Sequence, residues 1–324
     1  MVQSKYTVEA EQTDLRLDLL VTQLIGNVSR SQIQKLIEEQ GVQVNGRPAK
    51  ANYKVRLGDL ISYQLPETKY QKIEPENIPL DIIYEDKDLL VVNKAQGMVV
   101  HPAAGISRGT LVNALLYHCD QLSDVNGELR QGIVHRIDKD TSGLLIVAKS
   151  NLAHQELALQ LKKYTVKRVY LALVHGVMME PGGVVEAPIG RHSRDRQRMA
   201  VVTSNSKHAV THYRVLERLN DFTLLECQLE TGRTHQIRVH MAYLNHPLAG
   251  DPKYGPKKAA KLGFKGQALH AMALAFTHPR TKELLEFSAP PPDNFLQALK
   301  KLGSTYNFAE KVSGNGENSE SPNS

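Results

Sequence analysis

Short apolar segments with strand character, recurring between residues 88 and 290, constrain this chain's fold more than any other feature. Their lengths and their alternation of apolar with polar side chains are typical of β-strands in a sheet. Helical spacing in the same part of the chain is confined to residues 110–118, 153–162 and 235–245. We therefore predict an α+β fold built on a mixed, mainly antiparallel sheet. The predicted strands are DLLVVNK and MVVHP around one glycine turn, GLLIVAKS, RVYLALVHG, THYRVLER, FTLLECQLE and ELLEFSAP.

A polar, proline-bounded segment at residues 66–79 divides the chain into a short front part and a long back part. Segments of this composition commonly link domains. We predict a small α+β module at residues 13–75 and a larger domain at residues 79–302. Residues 313–324 contain no large apolar side chain, so we expect a disordered tail there.

The front module has the pattern of two helices followed by a hairpin. Leu17 and Leu20 belong to the first predicted helix, and Ile33 lies on the buried side of the second. Asn45 and Gly46 follow an alternating apolar segment, and this pair is typical of a tight hairpin turn. The pattern indicates a small α+β unit.

This module resembles the S4 RNA-binding domain in the order and spacing of its motifs. The resemblance implies a short helix pair that presents cations to RNA phosphates. Acidic and basic residues nearly balance over residues 1–70, so such a face requires charges segregated to one side. The alternative is a small interaction module whose charges are only solvated. The matching segments are residues 16–18, 29–30, 36–37, 41–46 and 58–61, and the candidate RNA contacts are Arg16, Arg30, Lys35 and Arg47.

The net charge of +6 favours an anionic partner such as nucleic acid, without establishing one. Cys119 and Cys227 are the two cysteines, and they provide neither a disulfide framework nor the spacing of a zinc site. No apolar run approaches the roughly 18 residues of a membrane span. We expect a cytoplasmic protein without a metal, a cofactor or a membrane segment.

The densest chemical motif is HRIDKDTSG, residues 135–143, which leads directly into a predicted apolar strand. This order places a carboxylate at the edge of a core. Asp138 lies between Arg136 and Lys139, and neighbouring cations favour the ionised carboxylate that a nucleophile needs. Taken alone, the motif is also consistent with a turn that polar side chains cap.

A second motif, TGRTHQIRVH at residues 231–240, follows the predicted strand FTLLECQLE. It combines two arginines with two histidines in a short span. His235 and His240 are five residues apart, which does not place them on one helical face, so we expect no zinc site here. A basic surface loop that leads into a helix is the alternative interpretation.

Together these motifs resemble the RluA family of RNA pseudouridine synthases. HRIDKDTSG and GRTHQIRVH carry the resemblance, with IIYEDKDLLVVNK upstream and HPLAGDPKYG and QALHAMALAFTHP downstream. The similarity covers about residues 80–290, and the S4-like module in front is similar to the RluD-type branch, which acts on large-subunit ribosomal RNA. One departure is Ala95, where the family usually has proline; it affects a turn but no reacting group.

The resemblance implies an isomerisation of uridine, in which a C–C bond replaces the C–N glycosidic bond without a cofactor. Asp138 is then the carboxylate that acts on the ribose, much as glycosidases use theirs, and Asp140 is structural. Arg238 is implied as the basic partner of Asp138, and Tyr170 as a ring that stacks on uracil. A covalent bond to C1′ and a glycal route through C2′ both remain open.

The resemblance also implies that the target uridine leaves the RNA stack to reach Asp138. Arg136 is the candidate for filling the vacated space, because a guanidinium stacks well on bases. Arg233 is a candidate phosphate contact. His135 is grouped with the RNA-binding residues as the side chain that shapes the loop.

Three alternatives remain open on the sequence. In the first, the substrate is transfer RNA rather than 23S ribosomal RNA. In the second, the chain is a non-catalytic S4-type RNA-binding factor of the ribosome. In the third, it is an enzyme that hydrolyses glycosides. Glycoside hydrolysis generally requires two carboxylates with different roles, here Asp138 and Asp140 in one loop. The chain has no tryptophan to stack on sugars, which disfavours that alternative.

Overall fold

The computed structural model describes residues 2–25, 30–65, 73–102, 105–195, 197–256 and 262–308. The tail predicted at residues 313–324 lies outside these residues. The chain forms two compact units, Met1–Lys72 and Ile73–Ser324, so the division falls inside the segment 66–79. Each unit has its own sheet and its own hydrophobic core.

The first unit contains helices α1 (Leu17–Ile25) and α2 (Arg30–Glu38) and a four-stranded antiparallel sheet. Asn45 and Gly46, with φ of 51° and 74°, form a two-residue turn in this sheet, which confirms the predicted hairpin. The core residues of the helices, including Ile33, are fully buried. The strands are β1 (Val2–Thr7), β2 (Val42–Val44), β3 (Arg47–Pro48) and β4 (Leu60–Leu65), in the spatial order β1-β4-β2-β3.

A buried carboxylate organises the charges of this helix pair. Asp18 is fully buried and accepts hydrogen bonds from Arg16 Nε at 3.0 Å, Arg30 Nε at 3.0 Å and Gln34 Nε2 at 2.7 Å. The hydrogen bond from Arg16 holds the pKa of Asp18 well below its usual range, although burial opposes this. The side chains of Arg16 and Arg30 are still 41% and 46% exposed, so Asp18 fixes two cations that also face solvent.

The second unit is built on a nine-stranded sheet, and a smaller three-stranded sheet accompanies it. The large sheet consists of β5 (Ile82–Glu85), β6 (Leu89–Lys94), β7 (Ser142–Ala148), β8 (Lys167–His175), β9 (Gly182–Glu186), β13 (Val210–Leu219), β14 (Phe222–Leu229), β15 (Leu269–Thr277) and β16 (Leu284–Ser288). The small antiparallel sheet consists of β10 (Ile189–Arg191), β11 (Met199–Val201) and β12 (Ser206–Lys207).

The spatial order of the large sheet is β5-β6-β7-β15-β8-β14-β13-β9, with β16 paired to β15. Within the described strands, β7 and β15 form the one parallel pair, and every other pairing is antiparallel. The prediction of a mixed, mainly antiparallel sheet is therefore confirmed.

Both faces of the central strands are covered. Every residue of β7 is buried, and successive residues point to opposite faces. Leu145 and Val147 pack in the larger core, whereas Leu144 and Ile146 pack in a second core on the other face. Burial on both faces explains why this strand reads as a continuous apolar run rather than as an alternation.

In the described part of this unit, four α-helices accompany the sheet: α3 (Leu111–His118), α4 (Asn151–Lys162), α5 (Gln236–Tyr243) and α6 (Asp293–Lys301). The first three agree with the predicted helical segments to within two residues at each end, whereas α6 has no counterpart in the sequence prediction. None of the helices in the described ranges combines the length and the apolar character needed to cross a membrane.

The segment MVVHP is not a strand, so that part of the sequence prediction is wrong. The carbonyls of Val99 and Val100 accept hydrogen bonds from the amides of Leu111 at 2.8 Å and Val112 at 3.1 Å. These amides are at the first turn of α3, where the helix itself offers no acceptor. The segment therefore caps α3 instead of joining the sheet.

Buried histidines make the stability of the second unit depend on pH. His270 is 1% exposed, with Nδ1 2.9 Å from Ser142 Oγ and Nε2 3.0 Å from the Ala289 carbonyl. Burial lowers the pKa of His270 to about 4 and that of His135 to about 3. Between these values and the ordinary pKa of 6.5, the unfolded chain binds protons that the folded chain excludes. Stability is thus fully present above pH 6.5 and falls as the pH drops towards 4.

We predict that His270→Asn reduces the loss of unfolding free energy between roughly pH 7.5 and pH 5 by about 2 kcal/mol. Urea unfolding followed by circular dichroism measures this loss. His208→Asn is the matched control, since His208 is exposed, and it should leave the loss unchanged. Equal losses in His270→Asn and the wild type would contradict the prediction.

Candidate active site

The loop formed by residues 135–141 leads into β7 and carries the candidate carboxylate, Asp138. Just after it, Gly143 has a φ of 111°, and a Cβ added there would lie 2.3 Å from the carbonyl oxygen of Ala271. A residue without a side chain allows this close approach of β7 to β15. The loop therefore enters the sheet at its parallel pair, and the Asp138 side chain is 17% exposed.

A buried lysine ties this loop to the turn after β6. Lys94 is 1% exposed, and the amide of Gly97 donates to the Lys139 carbonyl at 2.9 Å. Burial lowers the pKa of Lys94 to about 7, although the nearby carboxylates oppose this. Three backbone carbonyls, one of them in the Asp138 loop, hold the Lys94 amino group in place. Its Nζ donates to the carbonyls of Ala95 at 2.8 Å, Met98 at 2.9 Å and Lys139 at 3.0 Å.

Arg238 links Asp138 to a second, more deeply buried carboxylate. Its Nη1 donates to Asp138 Oδ2 at 2.8 Å, while Nε and Nη2 donate to the two oxygens of Asp251 at 2.7 Å and 2.9 Å. The side chains of Arg238 and Asp251 are 5% and 0% exposed. Burial acts to lower the pKa of Arg238, but the hydrogen bonds and charges of the two carboxylates outweigh it and raise that pKa. The guanidinium thus stays charged and points one N–H group at Asp138.

The buried amide of Gln236 fixes the start of α5, the helix that carries Arg238. Its Oε1 accepts from Thr231 Oγ at 2.7 Å and from the Arg233 amide at 2.9 Å. Its Nε2 donates to the Val210 carbonyl at 2.9 Å. These bonds join α5 to β13 and to the turn that precedes α5. The sheet therefore fixes the position of the helix that carries Arg238.

Tyr254 packs against Arg238 and orders a second group near Asp138. Its ring centroid lies 5.1 Å from the guanidinium carbon, and its hydroxyl accepts from the Met199 amide at 2.9 Å. The same hydroxyl lies 2.9 Å from His235 Nδ1, and His235 Nε2 is 3.8 Å from Asp138 Oδ1. His235 has a φ of 58°, an uncommon backbone for a non-glycine residue that is often found at functional sites.

A cavity of about 540 Å³ opens in front of Asp138. Tyr170 on β8 lines it and is 6% exposed. Burial raises the pKa of this phenol, so its hydroxyl is protonated at neutral pH. Among the described residues that line the cavity, Asp138 is the one carboxylate, and the basic ones are Arg136, Lys162, Arg168, Arg233 and Arg238.

The structure brings the three residues predicted to be catalytic, Asp138, Tyr170 and Arg238, to one cavity. The three predicted RNA contacts of this unit also line it. Arg136 is exposed at the loop, and Arg233 is half-buried with Nε donating to the His208 carbonyl at 2.8 Å. His135 Nε2 accepts from the Ile146 amide at 2.9 Å, so His135 is tied to β7 as a residue that shapes the loop.

The four predicted RNA contacts of the first unit are solvent-accessible. Arg16 and Arg30 flank Asp18, as described above. Lys35 is 75% exposed, with its Nζ 3.6 Å from Glu39, just after the end of α2. Arg47 is exposed on β3.

Sequence reasoning missed the side chains that hold the predicted ones in place. Asp251 and Tyr254 lie in HPLAGDPKYG, and Lys94 lies in a segment noted for its missing proline, so both stretches were visible as motifs. Their burial and their pairing with separate segments, such as Asp251 with Arg238 and Lys94 with Lys139, leave no local signal. The missed residues are Lys94, Arg168, His235, Gln236, Asp251 and Tyr254.

Comparison with protein families identifies two regions. The model of the RNA pseudouridylate synthase family matches residues 88–243, which include the Asp138 loop and all of α5. The S4 domain model matches residues 15–61, which lie within the first unit.

Related proteins match nearly the whole chain. An RNA pseudouridine synthase of Bacillus subtilis, YlyB, is 53% identical over 93% of this chain and 99% of its own length. Two proteins called ribosomal large subunit pseudouridine synthase D are also similar. That of Nitrosomonas europaea is 50% identical over 91% of this chain and 88% of its own length. That of Vibrio cholerae is 46% identical over 91% of this chain and 94% of its own length.

Two solved human structures share the fold of the second unit. RNA pseudouridylate synthase domain containing 1 aligns with a TM-score of 0.55 and 29% identity, over 67% of this chain and 85% of its own. RNA pseudouridylate synthase domain containing 4 aligns with a TM-score of 0.54 and 27% identity, over 68% of this chain and 92% of its own.

Proposed function

The chain belongs to the RNA pseudouridine synthase family, and from that premise we propose that it isomerises specific uridines of large-subunit ribosomal RNA, with Asp138 as the reacting carboxylate. Family membership makes the chain an isomerase that acts on RNA. The observation that carries the proposed role of Asp138 is its 2.8 Å hydrogen bond to Arg238 at the wall of a cavity of about 540 Å³.

The reaction exchanges the C1′–N1 bond of uridine for a C1′–C5 bond, so substrate and product are isomers and no redox partner is needed. Breaking the first bond develops positive charge on the ribose. Asp138 is proposed to stabilise that charge, because it lines the cavity and remains partly exposed. It either bonds to C1′ or removes a proton from C2′, and its position is consistent with both routes.

Arg238 is proposed to orient Asp138. A guanidinium that is already held by Asp251 can direct one N–H group without moving, which is the preorganisation that catalysis requires. One carboxylate oxygen receives this bond, and the other faces the cavity side where His235 lies 3.8 Å away.

Tyr170 is proposed to stack on the uracil ring and to handle a proton at C5. It is the aromatic side chain of β8 in this cavity, and its phenol is protonated at neutral pH. A uridine within folded RNA reaches it only when the base is flipped out. Arg136, exposed at the loop, is proposed to fill the space that the base leaves.

Ribosomal RNA is proposed as the substrate because two similar proteins are called ribosomal large subunit pseudouridine synthase D. An S4 domain in front of the catalytic region supports the binding of structured RNA. We assign RNA recognition to residues 13–75 and catalysis to residues 79–302. The proposed phosphate contacts of the first unit are Arg16, Arg30, Lys35 and Arg47, together with Arg233 in the second unit.

Asp138→Asn is expected to lower the single-turnover rate at least about 1,000-fold, since it removes the charge but keeps the shape of the side chain. The assay measures tritium released to water from RNA labelled at C5 of uridine. Asp140→Asn, two residues along the same loop, is the matched control and should stay within about threefold of the wild type. Conversion by Asp138→Asn at the wild-type rate would exclude Asp138 as the reacting group.

Mapping of pseudouridines in total RNA is expected to identify large-subunit ribosomal RNA as the substrate. A strain without this protein should lose one or more sites there, and the wild-type gene, but not the Asp138→Asn gene, should restore them. Losses confined to transfer RNA would refute the proposed substrate. The absence of any lost site would favour a non-catalytic RNA-binding factor.

A further inference from the structure

Arg168 is a buried cation in the wall of the same cavity, and the proposed function leaves it without a role. It lies on β8 two residues before Tyr170, so both side chains point to the same face of the sheet. Both line the cavity in front of Asp138. Arg168 is 6% exposed, a depth at which charged side chains are normally paired.

Arg168 has no carboxylate partner within the described ranges. Its Nη2 donates to the Glu230 carbonyl at 2.8 Å, and its Nε is buried without a hydrogen-bond partner among those residues. Its Nη1 lies against Gly232, where an added Cβ would be 2.5 Å away. Because burial without a counter-ion disfavours the charged form, the pKa of Arg168 is lowered. An anion in the cavity would therefore act as the counter-ion that the described residues do not provide for Arg168.

The two buried arginines of the cavity thus differ in whether a carboxylate is paired with the guanidinium. Arg238 is neutralised by Asp138 and Asp251, so it has little attraction left for a ligand anion. Arg168 faces the same space with its charge unbalanced. A low-dielectric wall makes such a charge more effective on a bound anion than it would be in water.

The proposed isomerisation creates a suitable anion. When the C1′–N1 bond breaks, its electron pair stays with uracil and spreads over N1, O2 and O4, while Asp138 either bonds to C1′ or takes a proton from C2′. We propose that Arg168 is the subsite for this uracil anion and that its guanidinium donates hydrogen bonds to a carbonyl oxygen of the base. C5 then bonds to C1′ as the bond between Asp138 and C1′ breaks or, on the glycal route, as Asp138 returns its proton to C2′; the proton on C5 is released and N1 gains a proton, so the reaction balances. The inference rests on the proposed function of this cavity.

The depth of Arg168 favours the base rather than a phosphate as its ligand. Phosphates belong to a continuous RNA chain, which stays at the protein surface, where Arg136 is exposed. The flipped base is the part of the nucleotide that goes deepest. Arg168 neighbours Tyr170, the ring proposed to stack on uracil, and Gly232 leaves room for Nη1 because it has no side chain.

The test compares Arg168→Met, Arg168→Lys and Arg168→Ala with the matched variant Lys167→Met in the full-length protein. Lys167 is exposed on the same strand and points to the opposite face, so its replacement removes a charge without touching the cavity. The RNA is one that the wild-type enzyme converts, and Asp138→Asn is assayed on the same RNA. Tritium release from C5 is measured in a single turnover at saturating RNA, and filter binding gives the Kd.

We expect Arg168→Met to lower the single-turnover rate about 100-fold while Kd stays within about threefold. Arg168→Lys should lose less, and Lys167→Met should match the wild type. Methylguanidinium in solution should raise the rate of Arg168→Ala at least about tenfold, as a missing transition-state cation can be supplied from outside. A purely structural role for the side chain predicts no such rescue.

An unchanged rate at saturation with a weakened Kd would overturn the uracil subsite in favour of phosphate binding. Wild-type values of both quantities would overturn any role for Arg168 in the substrate complex. If Arg168→Met does not fold, Gly232→Ala keeps the charge but displaces the guanidinium, and a wild-type rate for it would also overturn the proposal. Failure of the proposed function would instead appear as tritium release by Asp138→Asn.

Discussion

A guanidinium shared by two carboxylates is the interaction on which the site of the second unit depends. Asp251 is fully buried, and a buried carboxylate is costly unless a cation is bonded to it. Arg238 meets this need with two N–H groups and directs a third at Asp138. Asp251 Oδ1 also accepts the amides of Lys253 and Tyr254 at 2.9 Å and 3.1 Å, so the backbone of that segment ultimately orients Asp138.

The sheet brings the parts of this arrangement together from distant parts of the chain. Gly143 allows β7 and β15 to approach, and Lys94 fixes the carbonyl of Lys139 beside the reacting carboxylate. The cavity that results has one cation paired with carboxylates, Arg238, and one cation without a carboxylate partner among the described residues, Arg168 on β8. This division suits a reaction that separates charge, with positive charge on the sugar and negative charge on the base.

The sequence was sufficient to predict the fold class, because alternation in strands and spacing in helices report which faces are buried. The hairpin at Asn45 and Gly46 was also predictable, since the turn requires positive φ at both residues. MVVHP was misread because its apolar residues bury against α3 rather than in a strand. The predicted trio at the cavity came from motif resemblance, but Asp251 and Arg168 did not, because pairing and burial of polar groups depend on contacts between distant segments.

Arg238→Lys tests most directly whether a guanidinium must bond to Asp138 and Asp251 at the same time. Lysine keeps the positive charge, but its single ammonium group cannot reproduce the planar, bidentate bond to Asp251 together with the bond to Asp138. We expect the single-turnover rate at saturating RNA to fall at least about 100-fold, with a Kd for RNA within about threefold of the wild type. A rate close to that of the wild type would contradict the central role of the shared guanidinium.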